Sequence, residues 1–205
     1  AHYDSLTGLF NLKSFVSRME RLIVEKAAFA VLMIDLDRFK AVNDQFGHLI
    51  GDQLLLEVGN RLRSLVDIED VIARIGGDEF AIIVVGRDAA MRARRVASAV
   101  VDALYHPYTI DRFEAHTSAC IGIVVSPRDG QTVDGLRQAA DLALYQAKEI
   151  GRGKISFFSA DLDEAAADRR SIESELRKAI DSRRIEVAYQ PVVSTSTGRI
   201  SSCEA

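Results

Sequence analysis

The chain has 205 residues, which is enough for one ordinary domain, or for one domain and a fragment. Hydrophobic residues make up 48% and charged residues 27%, as in a globular protein with a core. The net charge of −4 argues against nucleic acid or an anionic membrane as a partner. The two cysteines have neither CxxC nor metal-ligand spacing, and no apolar run approaches about 18 residues. We therefore expect a cytoplasmic location and no membrane contact within these residues.

The N-terminal third predicts a helix, a buried strand and two further helices. A turn-rich segment, residues 4–11, leads into an amphipathic helix around residues 15–23. Residues 29–36 are almost continuously apolar and end in acids, which is typical of a central strand. Residues 37–46 then predict a short helix, and a longer helix follows Gly51.

Residues 74–80 contain two glycines and two acids between the apolar runs 71–73 and 80–85. Runs rich in β-branched residues on both sides of a Gly-Gly pair predict a tight hairpin. Asp78 and Glu79 would then lie at a rigid tip, where glycine lets a ligand approach the backbone closely. The alternative is an ordinary hairpin with solvated acids.

The remainder of the first 160 residues predicts mixed secondary structure. We expect a helix over 88–104, a hairpin built from 108–113 and 115–125, a helix over 131–150 and a last short strand at 155–158. This order favours one sheet with antiparallel pairs and flanking helices over a doubly wound parallel fold. The phosphate-binding loops GxGxxG and Walker A are absent from the sequence.

The sequence changes character after residue 160. A charged, Ala-rich stretch predicts a connector helix, and residues 185–193 and 200–205 predict two strands about a turn. Two strands alone do not bury a core, so we expect the chain to be a piece of a longer protein that ends just inside a second domain.

Acids from separate elements are candidates for one metal site. Asp35 and Asp37 end the predicted central strand, and Asp78 lies in the hairpin. Mg²⁺ takes few protein carboxylates and completes its shell with water and substrate phosphate, so these acids suit phosphoryl chemistry. A solvated strand end remains the alternative for the Asp-x-Asp pair.

Polar residues on the helices suggest nucleotide contacts. Residues 37–40 open a predicted helix, so their backbone N–H groups are suited to bind phosphate. Asn43 offers an amide and Asp52 a carboxylate, and this combination suits guanine. Asn43 and Asp52 are equally compatible with helix caps. Lys148 and Arg152 fit either a triphosphate tail or the C-terminal dipole of a helix.

These residues together resemble the GGDEF-domain diguanylate cyclases. The resemblance runs in order over residues 1–159 and rests on four motifs: Asp4-x-Leu6-Thr7-Gly8-Leu9-x-Asn11; Asp35-Leu36-Asp37-x-Phe39-Lys40-x-x-Asn43-Asp44-x-x-Gly47-His48-x-x-Gly51-Asp52; Arg74-x-Gly76-Gly77-Asp78-Glu79-Phe80; and Lys148 followed by Arg152.

The resemblance implies a fold, a reaction and a site. The fold would be α/β (α+β), with a central five-stranded mixed sheet flanked by helices, as in nucleotidyl cyclases and the polymerase palm. Two GTP molecules would condense to cyclic di-GMP with release of two pyrophosphates. Asp78, Glu79 and Asp35 would be catalytic, and Asp35, Leu36 (through its carbonyl), Asp78 and Glu79 would hold two ions of Mg²⁺ or Mn²⁺. The implied GTP contacts are Asn43, Asp52, Phe39, Lys40, Gly77, Lys148 and Arg152.

The resemblance also implies a homodimer, because each domain binds one GTP and two domains must face each other. Two departures stand out. Many relatives carry an Arg-x-x-Asp product-binding site where this chain has residues 67–70, and Asp67 replaces the arginine. An acid repels a phosphate, so we expect no product inhibition there. Leu12 replaces the arginine usual after Asn11 and leaves the metal site untouched.

Residues 189–205 resemble the start of an EAL phosphodiesterase domain. We therefore expect a GGDEF domain over 1–159, a connector helix over 160–184 and a truncated EAL start over 185–205. We expect a parent protein that is bifunctional with a phosphodiesterase and anchored to a membrane upstream. The alternative function is a GTP-binding domain that regulates an attached cyclic di-GMP phosphodiesterase.

Overall fold

The computed structural model describes residues 2–162, 175–182 and 188–204, and the chain divides into two compact units, Ala1–Asp163 and Glu164–Ala205. In chain order the first unit contains α1 (Leu12–Val24), β1 (Phe29–Asp37), α2 (Phe39–Phe46), α3 (His48–Arg63), β2 (Val71–Gly76), β3 (Glu79–Val85), α4 (Ala89–Tyr105), β4 (Tyr108–Ile110), β5 (Phe113–Ala115), β6 (Ser118–Ser126), α5 (Val133–Ile150) and β7 (Ile155–Phe157). No helix among the described residues is long and apolar enough to span a bilayer.

The first unit is built on a mixed sheet of five strands in the order β2-β3-β1-β6-β7. β3 and β6 flank β1 in antiparallel register, and β7 joins β6 in parallel. The central position of β1 follows from its sequence, because the strand is apolar on both faces and both faces are covered. The predicted α/β (α+β) fold with a five-stranded mixed sheet flanked by helices is confirmed.

Successive residues of β1 point to opposite faces and belong to two separate cores. Ala30, Leu32, Ile34 and Leu36 pack with residues of α3 and α4. Phe29, Val31 and Met33 pack with residues of α1 and α5. Because Asp35 continues the second series, its side chain lies on the α5 face of the sheet.

Helix α5 lies very close to the sheet at Gly122 of β6. A Cβ added to Gly122 would lie 2.3 Å from the backbone nitrogen of Leu144, so only glycine permits this approach. Cys120, two residues before Gly122, is the register partner of Asp35. Lys148 follows Leu144 by about one helical turn, and this packing therefore brings it to the end of β1.

Several predicted boundaries differ from the structure. The helix predicted over 37–46 begins at Phe39, and Asp37 ends β1, as the predicted strand end also had it. The run 115–125 was predicted as one strand of a hairpin. Instead β5 pairs with β4 in a separate ribbon, and β6 enters the central sheet beside β1. The break falls at His116-Thr117, where the buried Thr117 hydroxyl donates to the Asp37 carbonyl at 2.9 Å.

In the second unit, β8 (Gln190–Val193) and β9 (Ile200–Glu204) form an antiparallel pair. Of the predicted connector helix over 160–184, residues 163–174 and 183–184 lie outside the described residues, as do 185–187 and 205 of the predicted strands. Residues 175–181 are helical. The assignment of this unit to an EAL domain remains a prediction.

Candidate functional site

Asp78 lies in the turn of the β2–β3 hairpin, and Arg74 of β2 links this turn to Asp4. Gly76 and Glu79 are paired, so Gly77 and Asp78 form the turn, and Gly77 adopts a φ of +51° that favours glycine. The Arg74 guanidinium donates to the Gly77 carbonyl at 2.8 and 3.0 Å and to the Asp4 carboxylate at 3.2 and 3.3 Å. The turn is thus held to the N-terminal segment by one arginine.

Strand register brings two further acids to the same place. Asp35 of β1 lies directly opposite Glu79 of β3, and the Leu36 N–H donates to the Asp78 carbonyl at 3.3 Å. Residues directly opposite in an antiparallel pair have Cβ atoms roughly 5 Å apart. Asp35, Asp78 and Glu79, predicted from distant parts of the sequence, are therefore neighbours at one end of the sheet.

Lys148 supplies the positive charge at this cluster. Its Nζ lies 2.6 Å from Asp35 Oδ2, with the lysine side chain 44% exposed and the aspartate side chain 16% exposed. Lys148 lies in the last turn of α5, so the predicted interaction with the helix dipole is also available. The ion pair to Asp35 was not predicted.

Burial, together with neighbouring acids, raises the pKa values of Asp35 and Glu79. Burial raises the pKa of Asp35 above its ordinary value, Lys148 opposes this shift, and Asp78 and Asp37 add to it. Burial, Asp35 and Asp78 likewise raise the pKa of Glu79. A cation bound among these carboxylates would relieve both shifts, because it favours the ionised forms.

The donor set fits a hard divalent cation that shares its shell with a substrate. Carboxylate and carbonyl oxygens are the ligands that Mg²⁺ prefers, and it usually keeps several waters and substrate phosphates. Among the described residues, no group of three or more His, Cys, Asp and Glu side chains is placed so that it could hold a metal ion on its own. Binding of a cation here would therefore depend on ligands from substrate phosphate and water.

A second group of predicted residues lies where α2 meets α3. Helix α2 ends and helix α3 begins at Gly47, which has a φ of +87°. Asn43 and Asp52 lie inside these helices, so neither is the helix cap that the sequence also allowed. Asn43 Oδ1 is buried and has no hydrogen-bond partner among the described residues. It lies against Gly51, where an added Cβ would be 1.8 Å away. Such an unpaired acceptor is suited to a ligand N–H.

The remaining predicted contacts lie around these two groups. The Phe39 ring packs against Gly51, since its Cζ would lie 3.3 Å from an added Cβ there. Lys40 in α2 and Asp52 in α3 are exposed. Helix α5 ends at Ile150, as predicted, and Arg152 lies, exposed, in the following loop.

The segment 67–70 contains an ion-pair cluster that the sequence did not reveal. Arg92 of α4 donates to Asp67 at 2.5 Å, to Asp70 at 2.7 Å and to the Val85 carbonyl at 2.6 Å. The Asp70 side chain is fully buried and also accepts from the Val85 N–H at 3.0 Å. The only available signal was the arginine content of residues 88–104, which does not specify a partner.

Solved structures with this architecture carry GGDEF domains. The GGDEF domain of YfiN (also named TpbB) from Pseudomonas aeruginosa is 33% identical, with a TM-score of 0.76 over 81% of this chain and 99% of that one. The GGDEF domain of DgcB from Caulobacter crescentus, in complex with c-di-GMP, is 25% identical, with a TM-score of 0.67 over 77% and 95%.

Curated relatives are longer than this chain. MucR of Pseudomonas aeruginosa, a bifunctional diguanylate cyclase/cyclic di-GMP phosphodiesterase, is 41% identical over 209 residues, covering 100% of this chain and 30% of MucR. PdeR of Escherichia coli, a cyclic di-GMP phosphodiesterase, is 34% identical over 207 residues, covering 100% and 31%. This chain spans 26% of one such relative and 33% of another.

The family described as "Diguanylate cyclase, GGDEF domain" matches residues 1–154, about three quarters of the chain. The match includes every predicted site residue, from Asp35 at the end of β1 to Arg152 after α5. The chain belongs to the GGDEF domain family of diguanylate cyclases.

Proposed function

We propose that residues 1–159 form half of a diguanylate cyclase site, in which two GTP molecules condense to cyclic di-GMP and two pyrophosphates are released. The observation that carries this proposal is the strand register that sets Asp35 opposite Glu79, beside the Asp78 turn and within reach of Lys148. Carboxylates next to a lysine at an open edge suit the binding of a metal-complexed triphosphate.

Asp35, Asp78, Glu79 and the Leu36 carbonyl would hold two Mg²⁺ (or Mn²⁺) ions, which would neutralise phosphate charge and orient a 3′-hydroxyl for in-line attack on an α-phosphate. Arg74 keeps Asp78 in place by fixing the Gly77 carbonyl.

Base recognition is assigned to the α2–α3 group. The unpaired Asn43 Oδ1 would accept an N–H of guanine, and Asp52 would accept from the N1–H and N2–H₂ edge. Adenine offers no such pair of donors on that edge. Phe39 would lie against the base, and Lys40, Lys148 and Arg152 would meet phosphates. Gly77, which has no atom within 4 Å of an added Cβ, leaves the turn open to them.

Two copies are required, because each supplies one GTP and each 3′-hydroxyl attacks the other's α-phosphate. Product inhibition through segment 67–70 is not expected. Arg92 already uses its guanidinium on Asp67, Asp70 and the Val85 carbonyl, so the segment offers cyclic di-GMP acids rather than a free arginine.

The test is to incubate the protein with GTP and Mg²⁺ and to measure cyclic di-GMP, with dimerisation forced by a coiled coil fused to the N terminus. Wild type should form product, and Asp78→Ala should not. A forced wild-type dimer that binds GTP without forming product would contradict the proposal. Calorimetry that detects cyclic di-GMP bound at residues 67–70 would contradict the absence of feedback inhibition.

The second candidate function is GTP-dependent regulation of an attached phosphodiesterase. It is favoured by the relatives described as cyclic di-GMP phosphodiesterases, such as PdeR, whose match covers 100% of this chain. In that case residues 160–184 would connect to an EAL domain beginning at residue 185, in a cytoplasmic protein that combines both activities or uses GTP as a signal. GTP binding without product would support this function.

A further inference from the structure

Asp37, two residues after Asp35, is the acid of the strand end that no proposed metal or nucleotide contact uses. Side chains two apart on a strand share a face, so Asp37 points toward α5 as Asp35 does. Its carboxylate is occupied by protein donors: Oδ2 accepts from the Ser118 hydroxyl at 2.5 Å and from the Gly153 N–H at 3.0 Å. Cys120 Sγ lies 3.5 Å from Oδ1.

These contacts fasten the loop that carries Arg152. Gly153 donates its N–H to Asp37, and Gly151 offers its carbonyl to the Cys120 thiol at 3.2 Å. Gly151 and Gly153 have φ values of +141° and +62°, so the backbone on both sides of Arg152 has a conformation suited to glycine. The Arg152 side chain itself is exposed.

One strand end therefore holds two parts of the proposed site at a fixed separation. Asp35 pairs with Lys148 at the proposed metal site, and Asp37 accepts a hydrogen bond from the loop after α5. Without Asp37, the Gly153 N–H and the Ser118 hydroxyl lose their carboxylate acceptor, and the loop loses its direct link to β1. Hydrogen bonds to a carboxylate are roughly twice as strong as neutral ones, so this link is well suited to fix the loop.

We propose that Asp37 is a positioning residue that holds Arg152 where it meets the terminal phosphates of GTP, and that it is not a metal ligand. This proposal rests on the proposed function for the identity of the ligand. It goes beyond that function because it assigns the second acid of the Asp-x-Asp pair a role in triphosphate recognition. The reacting α-phosphate and the guanine base do not depend on Asp37.

The test is a comparison of binding between two unreactive probes, 3′-deoxy-GTP with Mg²⁺, which lacks the attacking hydroxyl, and GMP, which lacks the terminal phosphates. Asp37→Ala should weaken 3′-deoxy-GTP binding about 10-fold or more, the scale typical of residues that orient ligating groups. GMP binding should change by less than about twofold. Asp37→Asn should recover most of the loss, because the amide oxygen can accept from Gly153 and Ser118.

A double-mutant cycle with Arg152→Ala separates the role in positioning from other roles. If Asp37 acts through Arg152, the double variant should bind 3′-deoxy-GTP no more weakly than Arg152→Ala alone. Losses that add, or an Asp37→Asn variant as weak as Asp37→Ala, would contradict the proposal and favour a metal ligand. Ser118→Ala removes one donor to Asp37 and keeps Gly153, so it should give a smaller loss of 3′-deoxy-GTP binding. It tests the same link if Asp37→Ala does not fold.

The outcomes also distinguish this proposal from the proposed function. A wild type that binds 3′-deoxy-GTP and forms no cyclic di-GMP from GTP even as a forced dimer, with binding lost in Asp37→Ala, supports the role of Asp37 and contradicts the cyclase activity. An Asp37→Ala variant that binds 3′-deoxy-GTP like wild type contradicts the role of Asp37 alone. A wild type that does not bind 3′-deoxy-GTP contradicts both.

Discussion

Replacing Lys148 with methionine tests the electrostatics of the carboxylate cluster most cleanly. The variant keeps the length of the side chain on α5 but removes the ammonium 2.6 Å from Asp35 Oδ2. An exposed ion pair contributes about 0–1 kcal/mol, whereas a fully buried charge that loses its partner costs about 3–5 kcal/mol. With side chains 44% and 16% exposed, this pair lies between these limits. We expect Lys148→Met to lower the free energy of unfolding by about 1–2 kcal/mol near neutral pH.

The pH dependence of this loss has a definite sign. Burial raises the pKa of Asp35 in the folded state, and Lys148 opposes the shift, so the pKa rises further without Lys148. A carboxyl with a raised folded pKa destabilises the fold as the pH rises through that pKa. Below the ordinary value of 3.8 the group is protonated in both proteins and the lysine has no charge to pair with. The loss should therefore be large at neutral pH and nearly absent at acidic pH.

The assay is urea denaturation followed by circular dichroism, at about pH 3 and about pH 7. Lys154→Met is the matched control, since Lys154 is exposed and precedes β7 in the same part of the chain. The control should change stability by less than about 0.5 kcal/mol at both pH values. An equal loss for Lys148→Met at both pH values, or no loss at neutral pH, would refute the reasoning.

Three further substitutions have defined outcomes. Gly51→Ala puts a carbon 1.8 Å from Asn43 Oδ1, so calorimetry with GTP should show much weaker binding and denaturation a loss of about 1–3 kcal/mol. Glu79→Gln removes a carboxylate whose pKa is raised by burial and by neighbouring acids. The melting temperature of this variant should rise by about 1–3 °C at neutral pH and not at acidic pH, and its turnover should be lost. Arg92→Ala leaves the fully buried Asp70 without its guanidinium and should cost about 3 kcal/mol in urea denaturation.

Each of these substitutions has a control on a comparable position. Gly59→Ala, in the same helix as Gly51, meets only ordinary van der Waals neighbours at 3.4 Å or more. Glu20→Gln and Arg95→Ala change exposed residues of the same types on α1 and α4. Control substitutions whose effects are as large as those of the test substitutions would mean that the named contacts do not cause the effects.

The sequence predicted the centre of this fold well, because burial leaves a pattern there. The apolar run before Asp35 predicted a strand covered on both faces, and the glycines at 76 and 77 between two such runs predicted the hairpin. Separate acids could then be expected at one end of the sheet. The register that pairs Asp35 with Glu79 is a long-range property and became visible only in the structure.

What the sequence missed are contacts between distant residues with no local pattern. Arg92 pairs with acids 22 and 25 positions earlier, and an arginine on a helix face gives no sign of this. Asp37 was grouped with Asp35 because the two are close in sequence, yet its donors lie 81 and 116 positions away. The division of residues 115–125 was missed because only His116 and Thr117 separate β5 from β6, and this short break resembles the interior of one strand.

The central claim is that each chain supplies half of one active site. The most direct test is a forced heterodimer of wild type with Asp78→Ala, joined by complementary coiled coils, and assayed for cyclic di-GMP from GTP and Mg²⁺ beside the forced wild-type homodimer. Because both GTP molecules must be activated, the heterodimer should form almost no cyclic product while the homodimer is active. A heterodimer that keeps about half of the homodimer's rate would show that one intact chain is sufficient, and would contradict the account.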